Sequence, residues 1–226
     1  MKNKMKNKTK KKVYWTALAL LAALSLSAAE SQPRGYTIPT IDLSAEKHRQ
    51  IIVDREKGQY LGHPTTVLLE DGKTMLIVYP KGHGKGGIVY KRSADGGKTW
   101  SKRLPTPASW ATSREVPTLH RVVDAKGTKR LIMWSGLYPA RLSVSGDDGA
   151  KWSELKPAGD WGGIVVMGCL EQLKTGKGHY MAMFHDDGRF FAKGGKRGKR
   201  AVFNLYKTFS KDGGLTWSKP ESIFAR

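Results

Sequence analysis

An all-β protein assembled from propeller-type blades is the architecture this sequence predicts, and three observations carry that reading. One octet of residues recurs three times. Short apolar runs separated by turn residues precede each copy. The spacing from one copy's aspartate to the next is 52 and then 65 residues, which suits four antiparallel strands per repeat.

The octet runs from Ser93 to Trp100, from Ser145 to Trp152 and from Ser210 to Trp217. Each copy has the form Ser-x-Asp-x-Gly-x-Thr-Trp, with Lys151 in place of the threonine in the second, and Ser101, Ser153 and Ser218 follow directly. An aspartate at this position can accept backbone N–H groups a few residues on and fasten a tight turn. The glycine after it tolerates a positive φ that a β-carbon resists. The tryptophan is large enough to fill the space between neighbouring sheets. Asp95, Asp147 and Asp212 are therefore expected as turn fasteners, with Trp100, Trp152 and Trp217 as buried wedges.

Ahead of the first octet lie apolar runs at 65–69, 75–79 and 88–92, with a turn at Glu70 to Lys73. The second is led by 118–123, 130–134 and 141–144, the third by 168–173, 180–184 and 202–206. Each unit reads as three short strands, a boxed turn and a fourth strand, giving blades at about 60–110, 114–160 and 164–226. A leading segment, Ile51 to Asp54, reads as a closing strand of a further blade.

Residues 1–29 read as an address rather than a fold. Seven lysines and no acid precede an apolar stretch from Val13 to Leu26, and Ser27, Ala28 and Ala29 offer a cleavage site. That order predicts a secretory signal peptide, with an apolar core short for a membrane span, and hence an exported chain of residues 30–226 with no stable membrane span. Losing the seven lysines lowers the formal charge from +21 to +14. Cys169 is the only cysteine, so no intramolecular disulfide forms and stability must come from apolar burial. There is no phosphate loop, dinucleotide fingerprint or metal-ligand spacing, so neither cofactor nor metal is expected.

With its three boxes in these positions, the chain resembles the sialidase (neuraminidase) superfamily, in particular exo-α-sialidase-like proteins with BNR/Asp-box repeats. The resemblance covers about Arg49 to the C-terminus. It implies a six-bladed propeller, of which three blades are present here, and a glycoside hydrolase that releases terminal sialic acid. Six blades need roughly 250–300 residues, so the resemblance also implies a truncated chain, its nucleophile lying beyond Arg226.

The family places its site on the rim opposite the boxes. Candidates there are His63, Lys81 and His83 from the first blade, and Arg114, Glu115, Tyr138 and Arg141 from the second. The third adds His185, Asp186, Asp187 and Arg189. Sialic acid carries a carboxylate, which arginine forks grip bidentately; Arg114, Arg141 and Arg189 are the candidate clamps, and His63, His83 and His185 candidate sugar contacts. Asp186 and Asp187 are the candidate acid/base pair, and the same five-residue cluster also reads as a polar Asp/Gly turn. Two departures stand out. The stretch Tyr60 to Pro64 lacks the arginine the family places there, and the loop Pro80 to Gly87, where the family has its acid/base aspartate, holds no carboxylate.

The basic run Lys193 to Arg200 either steers an anionic glycan or is a solvated loop. The expected partners are sialylated or other anionic glycans rather than nucleic acid; the oligomeric state is open. Two function classes follow: an exported exo-sialidase-like hydrolase with little turnover as this chain stands, and a non-catalytic propeller that binds glycans or proteins.

Overall fold

Three antiparallel sheets follow one another along the chain in the computed structural model, which describes residues 38–163, 167–191 and 202–224. The signal-like segment and the basic run at 193–200 lie outside the described residues. The chain divides into two units, Met1–Lys47 and His48–Arg226, and all three sheets belong to the second.

The first sheet is a meander of β1 (Thr65–Leu68), β2 (Met75–Pro80) and β3 (Ile88–Ser93). The second comprises β4 (Thr118–Val123), β5 (Lys129–Ser135), β6 (Arg141–Ser145) and β7 (Lys156–Pro157). The third comprises β8 (Met167–Gln172), β9 (Tyr180–Asp186), β10 (Asn204–Ser210) and β11 (Glu221–Ser222). Alternation of buried and half-exposed side chains along β9 shows the two-residue period that puts one sheet face on the core.

Two expectations need correction. Among the described residues, the first sheet has no fourth strand. Ser101 and Leu104 donate to the carbonyls of Arg92 and Tyr90, both at 2.9 Å, so the chain starts down the edge of β3. Pro105 and Pro107 then follow, and with no N–H they cannot extend a ladder. The segment Ile51 to Asp54 is likewise not a strand. Val53 instead packs against Ile77, Tyr79 and Val89, while Asp54 accepts from Arg103 Nε at 2.7 Å and from the Tyr79 hydroxyl.

The three octets share one hydrogen-bond scheme. Ser93, Ser145 and Ser210 each donate through Oγ to their aspartate and accept the N–H of Gly97, Gly149 or Gly214 at 2.9 Å. Asp95 Oδ1 accepts the Thr99 N–H at 2.9 Å while Oδ2 accepts the Thr99 hydroxyl at 2.6 Å. Asp212 repeats this with Thr216 at 3.0 and 2.5 Å. Asp147 keeps only the backbone bond, from Lys151 at 2.9 Å. The residue before each glycine also has positive φ, at 73° for Gly96, 54° for Asp148 and 75° for Gly213.

The tryptophans of the second and third boxes lie against the preceding sheet, whereas Trp100 packs beside Ile77, Tyr79 and Val89 of its own sheet. Trp152 meets Tyr90 of β3 with ring centroids 6.1 Å apart and Trp110 at 5.5 Å. Trp217 meets Trp134 of β5 at 5.1 Å. Such aromatic pairs add roughly 0.5–1.5 kcal/mol each beyond their buried area. Trp217 is buried, whereas Trp152 and Trp100 are half-buried. The approach is close enough at Gly149 that a β-carbon would come within 2.5 Å of Leu76 and Tyr90. Tyr90 donates its hydroxyl to the Gly149 carbonyl at 2.7 Å. In the first and third boxes the matching carbonyl receives the indole N–H at 3.0 Å; in the second Tyr90 has taken it, and Trp152 Nε1 has no hydrogen-bond partner.

Candidate functional site

Strand direction sets the two ends of each sheet. The boxes lie beside the β1–β2 and β8–β9 turns: Gly96 N–H donates to Lys73 at 2.7 Å and Gly213 N–H to Gly178 at 2.9 Å. The opposite end carries the β2–β3, β5–β6 and β9–β10 loops and the approaches to β1 and β4. There the chain is tied across by the paired Leu61 and Lys81, and by Leu137 and Gly163.

Glu115 is the centre of that end. It precedes the buried Val116 and Pro117 that lead into β4, and only 4 % of its surface is exposed. Its Oε1 has no hydrogen-bond partner. His83, from the β2–β3 loop, brings Nε2 to 3.8 Å from that oxygen. Burial raises the carboxyl's pKa, and His83 and then Arg189 partly offset the shift. A loop of the first sheet, the approach to the second and a loop of the third thus converge on one carboxyl group.

The other predicted residues fall around it unequally. His63 stacks at a tilt on His83, with ring centroids 4.6 Å apart, and holds φ at 50°. A non-glycine residue there carries backbone strain of the sort found at ligand sites. Arg189 donates Nε to Asp187 at 2.9 Å, and Arg141 places its fork on the hydroxyl and carbonyl of Thr112 at 2.8 and 3.2 Å. Arg114 is exposed. Lys81 is paired with Glu56 at 3.1 Å, and His185 sets its ring edge against Phe203 at 5.2 Å.

Asp186 and Asp187 are both buried. Asp186 accepts the N–H groups of Gly188 at 2.7 Å and Phe190 at 3.2 Å, which makes it a fastener of the loop it begins. Of the two readings of this cluster, the polar turn is the one its hydrogen bonds describe. Asp187 holds Arg189 through both that residue's Nε and its N–H, the latter at 3.2 Å. The rim carboxyl whose pKa burial raises is Glu115, which sequence reasoning placed on the rim and did not single out. The signal for it was faint, an acid directly before a buried Val-Pro pair. No group of three or more His, Cys, Asp or Glu among the described residues is arranged to hold a metal ion.

Comparison with known proteins bears on this geometry. The family model of the BNR repeat-like domain matches residues 43–225. The chain belongs to that family. Among solved structures, the BNR repeat-like chain is similar to a protein of unknown function from Dyadobacter fermentans DSM 18053, with a TM-score of 0.50 and 16 % identity. That match covers 78 % of this chain and 58 % of the other, so the chain spans less than two thirds of that protein's length. At this identity the likeness speaks to fold alone. No curated protein matches. No helix among the described residues is long and apolar enough to cross a membrane.

Proposed function

We propose that this rim takes the terminal sugar of a sialylated or otherwise anionic glycan, in an exported hydrolase of the exo-sialidase type built on a six-bladed propeller. The observation that carries the reading is the Glu115 carboxyl. It is buried, lacks a partner at Oε1, and faces His83 from the first sheet and Arg189 from the third. A carboxyl held protonated above its ordinary range is suited to act as a general acid. In the reaction proposed, the glycosidic C–O bond breaks, the leaving oxygen takes the Glu115 proton, and a water oxygen bonds to the anomeric carbon, its released proton restoring the Glu115 acid. His83, when protonated, and Arg189 meet the sugar's carboxylate. Export rests on the charged, apolar and small-residue order of residues 1–29.

A second reading, a glycan-binding propeller without turnover, is favoured by a separate observation. Arg141 and Arg189 already spend donors on Thr112 and Asp187, and position 62 is glycine where the family has arginine. Both readings use the same rim and differ in chemistry. Hydrolysis of a fluorogenic sialoside by the whole chain separates them. Slow turnover above buffer that falls about 10²-fold or more in Glu115→Gln supports the acid role. Turnover that is unchanged in Glu115→Gln removes Glu115 from the mechanism, and none at all leaves the binding reading.

A further inference from the structure

At the same end of the sheets as Glu115, the β5–β6 and β9–β10 loops hold an aromatic ring out in solvent. Tyr138 is 57 % exposed, yet it is fixed from three sides. Its ring lies over Phe190, centroids 5.8 Å apart and planes within 18°. Its hydroxyl donates to Asp160. The backbone behind it is pinned by Leu137, whose N–H donates to the Gly163 carbonyl at 2.7 Å. Leu137 itself stands at φ 63°, a costly conformation for a bulky side chain. Phe190 is seated so closely on Gly162 that a β-carbon there would come within 2.8 Å of its ring. The Arg189 guanidinium lies 5.5 Å from the same ring.

Ordering an exposed aromatic side chain costs rotamer entropy and buries little of it. A ring held this way is preorganised for a partner that lies flat on it. The face of an aromatic ring is electron-rich and apolar, and it complements a pyranose whose one side presents a run of C–H groups, as a β-galactoside does. We infer that Tyr138 is a stacking platform for the neutral pyranose next to the anionic sugar, with Phe190 as its base and Asp160 as its positioning residue. This rests on the reading of the rim as a glycan site. It adds a second subsite, one that sets which sugar is accepted beside the first.

Saturation-transfer NMR on the full chain with methyl β-D-galactopyranoside tests it. Transfer should be strongest at H3, H4 and H5 of the sugar. It should drop about five-fold in Tyr138→Ala and stay within about two-fold in Tyr138→Phe, which keeps the ring face. Asp160→Ala breaks the same hydrogen bond as Tyr138→Phe and should match that variant. Equal transfer in the parent and Tyr138→Ala, with unchanged circular dichroism, overturns the platform. A Glu115→Gln chain with normal sialoside chemistry and a Tyr138→Ala chain without transfer would sink the acid role and keep the platform.

Discussion

The carboxylates of this chain shift in opposite directions, depending on the hydrogen-bond donors each side chain finds. Asp95 is pulled down to about 2, chiefly by the Thr99 hydroxyl and N–H. Glu115, with no donor at Oε1, is pushed up by burial. The folded chain therefore binds the Glu115 proton more tightly than the unfolded chain does. Its contribution to stability falls as pH rises from the ordinary value of 4.5 through the raised one. Glu115→Gln removes that cost. Thermal melts at pH 7 should show this variant at least as stable as the parent, with less sialoside turnover, the usual exchange between stability and activity. A clearly lower melting temperature would mean that Glu115 is a structural carboxylate.

Asp186 shows why residue type alone did not settle the site. A His-Asp-Asp-Gly-Arg run is polar enough for catalysis and has the composition of a turn. Which job each aspartate takes depends on where β9 ends, and β9 runs through Asp186, two residues past the apolar run visible in the sequence. That places Asp186 on the sheet's packed face with Phe184, while Arg189 turns back to Asp187. The octet aspartates were legible because donor and acceptor sit within four residues of one another.

At the scale of an element, the second box is the defective one. Lys151 supplies a backbone N–H and no hydroxyl, so Asp147 lacks the bond that Thr99 and Thr216 give Asp95 and Asp212. Lys151→Thr should restore it. One net hydrogen bond is worth about 0.5–1.5 kcal/mol, which for a chain of this size is a rise in Tm of about 1–5 °C. Differential scanning calorimetry reads this directly; a fall would show that the Lys151 side chain matters more than the missing hydroxyl. Removing a wedge acts the other way. Trp217→Ala empties the contact with Trp134 and should cost about 3–5 kcal/mol, seen as a shifted midpoint in urea.

Strand existence was legible from apolar runs and turn residues, and eight of the apolar runs fall on β1–β6, β8 and β9 with small changes at the ends. β10 begins at Asn204, two residues later than the run that announces it. What composition did not show was the fate of the fourth strands. β7 and β11 are two residues each, and the first sheet has none. Their sequences carry Pro105, Pro107, Pro157 and Pro220, each lacking the N–H a ladder needs.

Across the whole molecule, pH acts through two further windows, both of acid loss. Asp54, Asp71, Asp95 and Asp124 are all held near 2. Hydrogen bonds or ion pairs to the charged form depress each of them, with burial opposing, so the stability they contribute is present above their unfolded values and lost as pH falls from about 4 toward 2. His120 on β4 is held neutral by burial, down to about 4 from 6.5. The unfolded chain takes up its proton first, so stability is also lost as pH falls from about 6.5 to 4. His120→Gln should flatten the melting curve in that upper window and leave the lower one unchanged. A parent melting temperature constant between pH 7 and 4.5 would contradict the assignment.

The sheets stack through a repeated wedge, and the rim opposite the boxes gathers side chains from all three. The sequence allowed the rim to be located from strand order. The convergence on Glu115 was not legible, because His83, Glu115 and Arg189 are far apart in the chain and meet only when two sheet interfaces are built. Isothermal titration of the full chain with 3′-sialyllactose and with lactose tests the central claim, that this rim binds an anionic sugar. A charge-assisted hydrogen bond adds roughly 1.5–3 kcal/mol, so sialyllactose should bind at least about tenfold more tightly than lactose. That preference should shrink in His83→Ala and in Arg189→Lys. Equal affinity for the two sugars, or a preference untouched by both substitutions, would contradict it.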